Sequence, residues 1–303
     1  MFEPSPTTGI CAAATSAIAV ACWWWSRRTL AGTTLLASCW WGIAAVVSVA
    51  ACELIVGLGG ASGSNSPLRF VAAVATFCPA MSVLGARRPH HGAWQFIVLS
   101  LWFVLALPAA EVFFLQRGQT LEIHAARSWF LLGLLVVGVA NALPTRCWLA
   151  ALLWGCGQAV LVGEYLPFVH RSLGTAGALT GLALLCGSAA ANCLGLPNRR
   201  NVDPWNRLWL DFRDLFGALW GLRILERINA TMPAPDRGWL LTWSGFHTPH
   251  HERVEDSLSP DELLALRQNT FNLLRRFVSP EWIATRLGES AAPATDSPGD
   301  VQR

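Results

Sequence analysis

The chain has 303 residues, of which 53% are hydrophobic and 14% charged, against about 25% charged in an average soluble domain. Those proportions exclude an ordinary water-soluble domain, and they exclude a disordered chain, which lacks this much apolar surface. The first 200 residues hold 11 Arg and 5 Glu, while the rest hold 11 Arg and 14 acids. The charge therefore changes sign near residue 200, where a domain boundary is expected, and no concentrated basic patch points to nucleic acid as a partner.

Seven apolar runs follow one another in chain order, at 10–25, 30–58, 68–86, 93–115, 128–143, 147–167 and 173–196. A spanning helix needs roughly 20 apolar residues, so the first and fifth runs are short. The second is long enough to tilt, with Gly57, Gly59 and Gly60 ending it. Short Arg-rich loops face the cytoplasm. With the N-terminus outside, Arg27, Arg28, Arg87, Arg88, Arg146, Arg199 and Arg200 fall inside, and Arg69, Arg117, Arg127 and Arg171 fall outside. Glu3 before the first run and Arg27 and Arg28 after it give a polarity opposite to that of a cleavable signal peptide. Trp23 to Trp25, Trp94, Trp129 and Trp148 lie at predicted helix ends, as an aromatic belt requires. In the last run Gly174, Gly177, Gly181, Ser188 and Asn192 share a face on which another helix backbone can approach closely.

Three carboxylates lie inside the runs, where a charge costs roughly 3 kcal/mol on insertion scales and so faces the bundle interior or a wet cavity. Glu53, Glu111 and Glu164 sit on the second, fourth and sixth runs. Each lies roughly 10–14 Å beyond its run's midpoint, toward the outer face. The three form one candidate polar layer, able to hold a proton or a cation, with Pro108 one turn below Glu111. The competing reading pairs each Glu with an outer Arg or with water.

Five of the seven histidines fall on the inner side, His90 and His91 in one loop and His247, His250 and His251 in the tail. They are weak candidates for a transition metal, because their spacing matches no specific site. The nine cysteines lie scattered through the apolar runs without a CxxC and read as small hydrophobes. HExxH, a nucleophile elbow and a glycine-rich phosphate loop are all absent from the sequence. No cofactor is expected and the balance leans away from an enzyme.

In the tail, Asp203 caps a helix with Pro204 at its first position. Trp205, Leu208, Trp209, Phe212, Leu215, Phe216, Leu219 and Trp220 form one stripe, with Arg207, Asp211, Arg213 and Asp214 off it and a bend expected near Gly217 or Gly221. This stripe is expected to lie flat on the cytoplasmic surface of the bilayer, with packing onto the inner ends of the protein's own helices or onto a partner protein as the alternative. Residues 231–258 read as a loop. Ser259 to Glu262 makes a capping box for the next helix, and Ser279 to Glu281 opens a shorter one ending at Gly288. Residues 289–303 read as disordered.

The expected molecule is an all-α polytopic membrane protein of about seven transmembrane helices over 1–200. An amphipathic interfacial helix over 201–230 and a small helical cytoplasmic tail over 231–288 complete it, in a bacterial inner membrane with the N-terminus outside. Its partners are the lipid bilayer and a membrane or cytoplasmic protein met through the tail. The leading functional reading is a membrane-embedded component or scaffold of a larger assembly. The alternatives are a proton- or cation-coupled transporter or channel using the three Glu, and a membrane-embedded enzyme.

Overall fold

The computed structural model describes residues 5–59, 66–87, 91–115, 121, 123–167, 173–195, 202–231, 239–247 and 253–288. The chain is an all-α polytopic membrane protein. In the bundle the helices are α1 Pro6–Leu30, α2 Leu36–Gly59, α3 Ser66–Ala75, α4 Cys78–Leu84, α5 His91–Phe114, α6 Ala125–Ala142, α7 Trp148–Leu161 and α8 Gly174–Gly195. Six apolar segments among the described residues are long enough to cross a bilayer, counting α3 and α4 as one, and α7 at 14 residues is the short one.

Two boundaries differ from the apolar runs. The first helix extends through Leu30, because Ser5 and Thr8 form a capping box at its start and the turn waits for Gly32 at φ +79°. The sixth run stops being an α-helix at Leu161 and continues as a 3-10 turn, Gly163–Tyr165. At 1.5 Å per residue α7 spans about 21 Å, less than the roughly 30 Å hydrocarbon core.

The third segment is broken. Pro79 has no N–H to give, and the chain turns at Thr76 and Phe77 between α3 and α4. The Thr76 carbonyl accepts from the Trp154 indole at 3.1 Å and from the Gln158 amide at 2.9 Å, so α7 satisfies the break. Close packing follows where side chains are smallest. A Cβ on Gly157 would stand 3.0 Å from the Gly181 carbonyl, so the small-residue face of α8 is a packing seam against α7. Ser188 donates to the Ala150 carbonyl along the same seam.

The tail forms a cap on one end of the bundle. Helix α9, Pro204–Thr231, is broken at Gly217 (φ +76°, ψ −170°). A two-stranded hairpin, β1 Leu240–Thr242 and β2 Gly245–His247, follows where a loop was expected. The short α10 Val254–Ser257 and then α11 Pro260–Leu274 and α12 Pro280–Leu287 complete the cap, α11 starting on its capping box and α12 ending on Gly288 in the left-handed region.

The structure corrects what covers the stripe of α9. Trp205, Leu208, Trp209, Phe212 and Phe216 are buried in a core shared with Leu241, Leu266, Phe277 and Trp282, so protein rather than lipid meets that face. Leu215 and Trp220 pack at the edge of the same core and Leu219 is exposed. Off the stripe, Arg213 and Asp214 are also buried. Arg213 binds the Asp214 carboxylate at 2.7 Å and the Trp243 carbonyl at 2.7 Å. Asp211 takes Arg286 at 2.9 Å. Burial pulls the Arg286 guanidinium below the usual arginine value, a pull that Asp211 opposes. The part of the helix before Gly217 is therefore enclosed on both faces, because α11, α12 and the hairpin return over it, while Leu219, Leu222 and Arg223 beyond it are exposed.

The cap is bolted to the bundle through the turns at that end. Thr34 N–H donates to Phe277 and Ser279 N–H to Gly32, with an isolated bridge between Thr33 and Val278. The Trp220 indole donates to Val83 at 3.0 Å and the Trp243 indole to Pro144 at 3.0 Å. Leu30, Leu35, Cys39 and Ala86 of the bundle belong to the cap's own core.

Candidate functional site

At the bundle end opposite the cap, α2, α3, α7 and α8 enclose a cavity of about 230 Å³. Glu53, in the last two turns of α2, is 2% exposed and Arg69, in the first turn of α3, is 25% exposed. Their pairing is a fork. Arg69 Nε donates to Glu53 Oε1 at 2.7 Å and Arg69 Nη2 to Oε2 at 2.8 Å, the planar two-bond geometry that guanidinium favours. Arg69 Nη2 also donates to Thr175 Oγ1 at 2.8 Å on α8, so three helices meet at one cation.

Glu164 reaches the same cavity from the 3-10 turn after α7. Ser66 Oγ lies 3.5 Å from its carboxylate as a donor and 2.6 Å from the Tyr165 hydroxyl, and Tyr165 stacks edge-on to Phe70 with ring centroids 4.7 Å apart. Gly163, Gly174 and Gly177 give the cavity its width by leaving out side chains. Two carboxylates and one guanidinium thus line a small compartment whose remaining walls are largely apolar. Low surrounding polarity strengthens each charge interaction there, and the set can exchange a proton or hold a small cation beside Glu164.

Of the three expected carboxylates, the structure brings Glu53 and Glu164 to one cavity and leaves Glu111 out. Glu111 is exposed on α5, on the side away from the buried Ala109 and Val112, and does not line the cavity. Glu53 pairs with an outer arginine, as the competing reading has it, and shares a cavity with Glu164, while depth along a helix carries no information about azimuth. Arg69 was visible in the sequence only as one of four outer arginines. Its place one residue inside the third apolar run, opposite Glu53 in depth, is the signal that picks it out. Ser66, Tyr165 and Thr175 had no such signal, since each is a single polar residue at a run's edge.

Among the histidines, His247 ends β2 with its ring 3.1 Å from Ser244 Oγ. His91 opens α5, and His90, His250 and His251 lie outside the described residues. Among the described residues no three His, Cys, Asp or Glu side chains gather as a metal site, and the nine cysteines are free thiols. No protein-family model, no curated protein and no solved structure matches this chain.

Proposed function

We propose that this multi-pass membrane protein is a proton- or cation-coupled carrier or channel whose site is the compartment between α2, α3, α7 and α8. One observation carries the reading: the Glu53–Arg69 fork, with Glu53 2% exposed, forms the wall of a cavity that Glu164 also lines. Ionisable groups are costly inside a bilayer and gather where an ion or proton is handled. The fork is locally neutral, so Glu164 leaves the described lining one negative charge in excess, which suits a cation. The shortened α7 supports the reading, since its end and the 3-10 turn that carries Glu164 line the cavity and interrupted helices border transport sites in many carriers.

The proposed setting is a bacterial inner membrane with the N-terminus outside and the cap in the cytoplasm, on the Arg distribution and the Arg27 and Arg28 guanidinium groups stacked 3.4 and 4.9 Å over Trp24 and Trp25 at one end of α1. The site then faces outward. Purified protein in liposomes carrying a pH- or cation-sensitive dye tests the function. Wild type admits H⁺, Na⁺ or K⁺ faster than protein-free vesicles, Glu164→Gln abolishes the flux, and Glu111→Gln leaves it unchanged. Flux of none of the three ions refutes the proposal.

A second reading, a membrane-embedded component of a larger assembly, is favoured by α6. Only 11% of its spanning window is buried in the chain, and Trp129, Phe130, Val136 and Val137 face outward. Recovery of one stoichiometric partner from mild detergent, lost on Val136→Arg, supports that reading.

A further inference from the structure

Near the cap end of the bundle, α1 carries two Arg–Trp couples side by side. Arg27 lies 3.4 Å from the Trp24 ring centroid and Arg28 lies 4.9 Å from that of Trp25, each one turn later than its partner. The inward side of α1 is a different one, where Ser26 is buried with its Oγ 3.0 Å from Cys193 Sγ of α8. Trp24 and Trp25 are 48% and 66% exposed, Arg28 is exposed and Arg27 half-buried, so both couples are open to what surrounds the protein. Trp40 of α2, also exposed, meets Trp24 edge-on with ring centroids 5.9 Å apart, and the first couple is thereby held from two helices. A guanidinium stacked on an aromatic face keeps its N–H edge free for an oxyanion.

Neither guanidinium has an ion pair among the described residues, and the nearby sequence offers none. No Asp or Glu occurs between Glu3 and Glu53, and the connecting segments at this end, 85–90, 143–147 and 196–202, hold five Arg and no acid. Asp203, which follows, caps α9, and in the cap Asp211 and Asp214 already hold Arg286 and Arg213. The counter-charge therefore comes from outside the chain, and exposed indoles belong at the depth where a bilayer's headgroups begin. We infer that Arg27 and Arg28, walled by Trp24, Trp25 and Trp40, hold the phosphate of an anionic phospholipid. A zwitterionic lipid carries its own ammonium beside the phosphate, so two unpaired guanidinium groups select the lipid with net negative charge. The inference is independent of the ion site at the other end of the bundle and of which leaflet this end faces.

The test uses the full chain in a neutral maltoside detergent, titrated with phosphatidylglycerol or with phosphatidylcholine of the same acyl chains, and reads retained lipid by native mass spectrometry. Wild type is expected to retain phosphatidylglycerol in clear preference to phosphatidylcholine, and an excess of inorganic phosphate does not displace it. Arg27→Gln and Arg28→Gln each weaken phosphatidylglycerol binding about tenfold, the ratio that one charge-assisted hydrogen bond supports. Trp24→Leu weakens it with both charges in place. Arg127→Gln, the same charge change on an exposed arginine at the far end of the bundle, leaves it unchanged. An unaltered unfolding midpoint in lipid-free detergent shows that the variants are folded. Equal retention of the two lipids, or displacement by inorganic phosphate, overturns the inference. So does full binding in Trp24→Leu, or a loss in Arg127→Gln equal to that in Arg27→Gln, which makes the attraction one of net charge alone.

Discussion

Removing one member of the Glu53–Arg69 fork is expected to hurt far more from one side than from the other. Arg69→Met deletes three hydrogen bonds, two to Glu53 and one to Thr175, and leaves at Glu53 a carboxylate that is 2% exposed with its counter-charge gone. Breaking a buried pair in this way costs about 3–5 kcal/mol, because the remaining charge keeps its desolvation penalty. Glu53→Gln leaves the charge on Arg69 instead, which is 25% exposed and has a long side chain able to reach water, so the loss is about 1–3 kcal/mol. Replacing both, as Glu53→Leu with Arg69→Met, removes the penalty along with the attraction and returns most of the stability. At about 2 °C per kcal/mol for a chain of this size, Arg69→Met lowers the unfolding midpoint in mild detergent by roughly 6–10 °C. The midpoint is read by fluorescence-detected size exclusion after heating. If Arg69→Met and Glu53→Gln cost the same, or the double variant falls below Arg69→Met, the pair is not the desolvated fork described above.

Phe212→Ala empties the centre of the cap core and costs about 3–5 kcal/mol, seen as faster proteolysis between residues 239 and 288 with the bundle fragment left whole. Gly217→Ala places a Cβ 2.4 Å from the Asn141 amide nitrogen at φ +76°, whereas Gly288→Ala at φ +77° meets open space. The first variant therefore loses clearly more stability than the roughly 1 kcal/mol that the backbone conformation alone costs in the second. In a cysteine-free background, Thr7→Cys reacts with a membrane-impermeant maleimide added outside whole cells and Gln268→Cys reacts only after lysis, and the reverse pattern inverts the proposed topology.

The order of the membrane segments was legible because apolar length is a coarse signal that survives ignorance of packing, while the expected seven become six segments long enough to span among the described residues. Their ends were less legible. Residues 30–58 read as one apolar run, and only the Gly32 turn with Thr33 and Thr34 separates α1 from α2. The stripe of α9 was legible as a stripe, since Trp205, Leu208, Trp209, Phe212 and Phe216 keep helical spacing. What covers it was not, because a lipid tail and a phenylalanine of α11 or its following turn ask the same of an apolar face. Asp211 and Arg213 were read only as lying off the stripe, and the structure uses both, with Arg286 and the Trp243 carbonyl. Glu111 had no azimuth to read, because α5 is apolar all the way round.

The hydrogen bonds from Thr34 and Ser279 across to Phe277 and Gly32 join positions nearly the whole chain apart. The first hairpin of the bundle leaves the ribosome long before the partners that close its turn. Contacts this distant in sequence are slow to form, since a long loop must close before they contribute. Until then Leu30, Leu35 and Cys39 stay uncovered at the mouth of the bundle, a stretch that a membrane chaperone or a quality-control protease can read as unfinished. A chain cut short before Phe277 lacks this latch and leaves those side chains without their cover.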